Sequence, residues 1–191
     1  GISIAQHAKP NISGLNINGF THGIEAGSIG NTGPANTSWS ASNIVIDGNN
    51  EKYGSGIHAL KSSGEFNITN TTISNTYFGV YVLETTDAWQ AQNLTINNPG
   101  GSGVSGYQST GAWTVEDTLI TNGGDDAVFA YDTEGDWTIE STEIINTTDG
   151  IEAGISSGDW KVSNTTIDDP RGDGIQSAGA TGNAVIQNMT I

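Results

Sequence analysis

Tryptophan recurs on a nearly fixed step. Trp89, Trp113, Trp137 and Trp160 follow one another at intervals of 24, 24 and 23 residues, and Phe66 precedes the first by 23. A step of this length marks one supersecondary unit copied along the chain, and the unit dictates the architecture. Around the aromatic beat other columns fall into phase. Seven residues after each unit start stands an isoleucine: Ile17, Ile46, Ile73, Ile96, Ile120, Ile144, Ile167 and Ile191. A second motif follows in each copy, as in Gly23-Ile24, Gly56-Ile57, Gly79-Val80, Gly103-Val104, Gly150-Ile151 and Gly174-Ile175.

Within each motif apolar and polar residues alternate, the signature of a strand with one buried face. No stretch carries a helical stripe. Each unit therefore predicts three short strands, Gly-Ile-x-Ala, Trp-x-Ile-x and Leu-Thr-Ile. Only a coil keeps every column in phase, because equivalent residues then lie one above another at about 4.8 Å. In Trp-x-Ile the indole shares a face with the buried isoleucine, so the tryptophans are expected to stack inside the coil.

These columns resemble the right-handed parallel β-helix of the pectate-lyase-like superfamily, across essentially the whole chain. The resemblance implies an all-β, single-stranded solenoid of about eight coils of roughly 23 residues. It does not choose an activity, because one such fold hosts many functions. The sequence predicts a single solenoid over 1–191, a segment of a longer protein. Its longer loops fall at 27–38 and 48–55, where the step from Gly23 to Gly56 stretches to 33 residues. Long loops on a rigid scaffold are where binding walls are built.

Polar columns mark the corners. Asn43, Asn70, Asn93, Asp117, Ser141, Asn164 and Asn188 form one, and Asn75, Asn98, Asn122, Asn146 and Asp169 another. Asparagine tolerates the left-handed backbone of a sharp turn and can bond along the axis. Asn11, Asn36, Asn67, Asn70, Asn93, Asn146, Asn164 and Asn188 also begin Asn-x-Ser/Thr sequons. Most are by-products of the ladders. Asn36, in a loop, and Asn67, at an outward strand position, are the expected glycosylation acceptors.

The charge balance is 21 acidic against 5 basic residues, a net charge of −16. Such a surface repels nucleic acid and anionic membranes and attracts cations. It suits a halophilic-type acidic coat or discrete Ca2+ sites. No run is long and apolar enough to insert in a membrane. With no cysteine there is no disulfide framework.

Three constellations carry candidate chemistry. Asp126, Asp149 and Asp173 precede the Gly-Ile-type strand in successive coils, with Asp125 and Glu152 nearby. Stacked carboxylates either raise a pKa or hold a cation, so Asp125, Asp126, Asp149 and Asp173 are the candidate metal ligands, for Ca2+. Gly124-Asp125-Asp126 and Asn146-Thr147-Thr148-Asp149-Gly150 also resemble polygalacturonase motifs, in reversed order and with an extra threonine, which implies a hydrolase. Glu25, His58 and Tyr81 are outward residues of neighbouring coils, a carboxylate, an imidazole and a phenol able to do acid–base work. They are the candidate catalytic set, although the column lacks the Arg or Lys that lyases of the superfamily use to neutralise a uronate. Arg171-Gly172-Asp173 spells an integrin tripeptide, but Arg171 is expected to pair with Asp168 or Asp169.

The expected function is an extracellular or cell-surface β-helix that is structural or carbohydrate-binding, with a polysaccharide or surface glycan as partner. The alternatives are a polysaccharide lyase or glycoside hydrolase, and a fibre, spike or adhesin whose coils stack end to end.

Overall fold

A computed structural model describes residues 1–4, 8–27, 38–50 and 53–191. All its regular elements are strands, and every strand pairing is parallel. The Gly-Ile strands form one eight-stranded sheet. It runs through Ile2–Ile4, His22–Gly27, Ser55–Leu60, Phe78–Leu83, Val104–Tyr107, Val128–Tyr131, Ile151–Gly154 and Ile175–Gln176. Each strand pairs with its equivalent one coil away, so the chain climbs as a β-solenoid.

The other two strand columns join into one thirteen-stranded sheet. In two coils they are a single bent strand, Phe66–Ser74 and Trp89–Asn97. The ladder survives the bend because only one residue leaves it: Gln92 pairs with Thr69 before the corner and Leu94 with Thr71 after it. At the corner Asn70 and Asn93 take φ of 49° and 53°. Every member of both polar columns lies in this left-handed region. Their side chains bond along the axis, from Asn93 Nδ2 to Asn70 Oδ1 at 2.6 Å, Asn98 Nδ2 to Asn75 Oδ1 at 3.0 Å and Asn146 Nδ2 to Asn122 Oδ1 at 2.9 Å.

A third left-handed column stands at the exit of the first sheet, at Lys61, Glu84, Gln108, Asp132 and Ile155. It leads into buried hydroxyls, where Thr85 Oγ1 donates to Ser109 Oγ at 3.1 Å and Thr133 Oγ1 to Ser156 Oγ at 2.8 Å. These bonds satisfy polar groups that would otherwise be costly inside the coil.

The core is filled by the repeat columns. Trp39, Phe66, Trp89, Trp113, Trp137 and Trp160 are all at most 4% exposed. Successive rings lie 4.8–5.9 Å apart and within 9° of parallel. The first sheet faces the indoles with small residues. Ala59, Val82, Ala130 and Ala153 are fully buried, and a Cβ added to Gly106 would lie 2.9 Å from the Trp113 ring. The indoles thus reach across the interior, and the opposite wall is small because they do. In the last coil Ile186 and Ile191 are 51% and 68% exposed.

Candidate functional site

The first sheet presents one outward residue per coil at the same register. Ser3, Glu25, His58, Tyr81, Ser105, Phe129, Glu152 and Gln176 pair in that order along the axis. The repeat fixes where these side chains point but not what they are, so neighbouring coils can assemble different chemistry on one scaffold.

Glu25, His58 and Tyr81 are brought together, with the His58 and Tyr81 rings 5.3 Å apart. His22 joins them, its ring 4.7 Å from His58. One ligand atom from each of His22, Glu25 and His58 lies within 4.8 Å of the others. Burial, and then the neighbouring His22, lower the His58 pKa to about 4, so its imidazole is neutral at pH 7. Burial chiefly, with Tyr107 and Glu84, raises the Tyr81 phenol, which stays protonated and a donor. Lys61, on the corner column, is paired with Glu84 at 3.4 Å.

Beyond Tyr81 the outward face turns aromatic. Phe78 stacks on Tyr81 at 4.5 Å, and Phe129 on Tyr131 at 5.5 Å. Tyr107 lies between them, 6.3 Å from Phe129 and 5.9 Å from Tyr131. These half-buried rings line a depression of about 340 Å³ together with Tyr77, Ser102, Ser105 and Asp125. The Ser105 hydroxyl is buried there and has no hydrogen-bond partner.

The far side of this depression is acidic. Asp126 is 3% exposed. Burial first, then Asp125, Glu152 and Asp149, push its carboxyl up to about 7. Glu152 is raised as well, by burial and by Asp125 and Asp149, and is hydrogen-bonded to Asp126. Carboxyls packed this closely disfavour one another's ionisation. Asp149 is otherwise engaged: its Oδ1 accepts the Asp173 N–H at 2.6 Å. Asp126, Asp149 and Asp173 do stack, since Ala127 N–H donates to the Asp149 carbonyl and Gly150 N–H to the Asp173 carbonyl. Among the described residues, however, the group that brings three ligand atoms within 4.8 Å of one another is His22, Glu25 and His58, not the aspartate column.

Other expectations fall as follows. Arg171 does not pair with Asp168 or Asp169. Its guanidinium donates to the carbonyls of Thr147 and Gly123, because the turn directs it back over the two preceding coils. Asn67 is exposed on its strand. It lines a shallow trough of about 440 Å³ with Gln90, Thr114 and Thr138. Asn36 lies outside the described residues, as do 28–37 and 51–52 of the two long loops. Among the described residues no helix is long and apolar enough to cross a membrane.

The sequence reading missed His22 and the aromatics Phe78, Tyr107, Phe129 and Tyr131. The aromatic signal was available: Tyr107 and Tyr131 stand at equivalent places, two residues beyond the outward column.

Residues 55–191 match the family described as the right-handed β-helix region. The chain belongs to that family. No curated protein and no solved structure matches it.

Proposed function

We propose that this right-handed β-helix is an extracellular, acidic surface module that binds a polysaccharide or surface glycan on the outward face of its first sheet. The observation that carries the reading is the aromatic depression at Tyr81, Tyr107, Phe129 and Tyr131. Rings that are partly exposed on a solenoid offer apolar platforms for the C–H faces of sugars. The coil rise of about 4.8 Å sets successive platforms along the axis, so an extended chain laid parallel to it meets one after another. A polar group able to orient a ligand lines the same depression, the exposed side chain of Asp125. The 440 Å³ trough on the other sheet is a weaker candidate, because its tryptophans are only 2–3% exposed and turn inward. The net charge of −16 supports an acidic, halophilic-type surface and favours neutral or cationic glycans over uronate polymers.

The test is glycan-array binding followed by calorimetry with the wild type and Tyr107→Ala. Saturable binding that the substitution abolishes while the fold persists supports the reading. Absence of binding across neutral, amino and acidic glycans defeats it.

One observation favours a second reading, a glycoside hydrolase. The Asp126 carboxyl is pushed up to about 7 beside Glu152, next in sequence to Asp125 of the depression. Glycoside hydrolysis uses an acid and a carboxylate about 5–9.5 Å apart across the scissile bond, so this hydrogen-bonded pair would have to separate around a substrate. Release of reducing ends, lost in Glu152→Gln, would support it; glycan binding without turnover would leave the module non-catalytic.

A further inference from the structure

We propose that His22, Glu25 and His58 form a binding site for a divalent transition-metal ion of the zinc type. The site stands at one end of the outward column and does not depend on the glycan reading.

Three features lead to it. First, the ligand atoms already converge to within 4.8 Å of one another. Metal–ligand bonds of about 2.0–2.2 Å place tetrahedral ligands roughly 3.4 Å apart, so small side-chain rotations close the set. Second, the nitrogens lack partners. His22 Nδ1 and both ring nitrogens of His58 are shielded from solvent and make no hydrogen bond. A buried polar atom without a partner costs free energy, and three in one cluster call for an explanation that a bound cation supplies. Third, the scaffold holds the set. Glu25 pairs with His58 in the parallel ladder, so backbone register fixes two of the ligands.

The donor types select the ion. Two imidazoles and one carboxylate suit zinc and its first-row neighbours. Calcium requires six to eight oxygens, roughly, and finds only one carboxylate here. Two histidines and a glutamate complete three positions of a tetrahedron, so the fourth is left for water or a ligand group.

Untagged protein, stripped with a chelator, is titrated with Zn2+ alone in calorimetry, with and without excess Ca2+. Uptake of one equivalent that Ca2+ does not displace, weakened about tenfold or more in both His22→Ala and Glu25→Gln, is the expected result. No saturable uptake, or uptake unchanged in either variant, overturns the site. Far-UV circular dichroism checks that each variant is folded. Should a variant unfold, Co2+ added to the native protein decides: visible d–d bands of a nitrogen-ligated ion support the site, and their absence overturns it.

Discussion

Two sets of aromatic residues run along this solenoid, one inside and one outside. The inner set is monotonous. Trp39, Phe66, Trp89, Trp113, Trp137 and Trp160 stack within 9° of parallel and are almost fully buried. The outer set is irregular. Phe78, Tyr81, Tyr107, Phe129 and Tyr131 are half-buried, and their neighbouring planes tilt by up to 35°. The difference teaches where constraint lies. An inward position must satisfy the same packing in every coil, so it repeats. An outward position answers only to what the surface meets, so departures from the repeat are the places to seek function.

The sharpest way to break the comparison is Trp113→Ala. If the inner stack belongs to the fold, removing one ring should cost about 3–5 kcal/mol in chemical denaturation. Stability retained with glycan binding lost would move the inner set to the functional side.

The next effect comes from Asp126, at the boundary of inside and outside. Its pKa is raised from 3.8 to about 7. Between those values the folded protein keeps a proton that the unfolded chain has lost. Stability therefore falls as pH rises from about 4 to about 7, and the cost is fully present above that. Asp126→Asn keeps a donor toward Glu152 and cannot ionise. It should stabilise the protein by on the order of 2–4 kcal/mol at pH 8 and change little at pH 4. A gain that is equal at both pH values would show that ionisation of Asp126 is not its source.

The inner columns and two of the corners were legible in the sequence because each repeats a recognisable side chain. Trp, Ile and Asn announce themselves. The third corner did not, because Lys61, Glu84, Gln108, Asp132 and Ile155 share only a positive φ and no chemistry. The buried hydroxyls of Ser62, Thr85, Ser109, Thr133 and Ser156 do keep the step, but polar residues read as loop when burial is unknown. His22 was hidden by parity. It stands three residues before Glu25, an odd offset that in a straight strand points to the other face. Its ring nonetheless meets His58 at 4.7 Å. The aspartate column shows the opposite case: phase predicted the stacking, but not that Asp149 would spend an oxygen on the Asp173 N–H.

Corners test the repeat at a smaller scale. Asn93 has a φ of 53° and donates to Asn70. Asn93→Ala should cost about 1–2 kcal/mol, since a Cβ without a local polar group is disfavoured there. Asn93→Gly should recover much of that loss, because glycine adopts the conformation without strain. Equal losses in both variants would assign the effect to the side-chain ladder instead.

The smallest effect on stability is expected where the effect on binding is greatest. Tyr107 is half-buried on the outward face, its ring 5.9 Å from Tyr131 and 6.3 Å from Phe129. Tyr107→Ala leaves the inner stack and every corner intact, so denaturation should move by no more than about 1 kcal/mol. The same change removes the platform at the centre of the depression. Loss of a central aromatic anchor should weaken glycan affinity by about tenfold or more, equivalent to roughly 1.4 kcal/mol. Tyr107→Phe then separates stacking from the phenol: retained affinity assigns the contact to the ring, and lost affinity assigns it to the hydroxyl. A large stability loss in Tyr107→Ala with affinity unchanged would place this residue with the inner set and remove the distinction between the two.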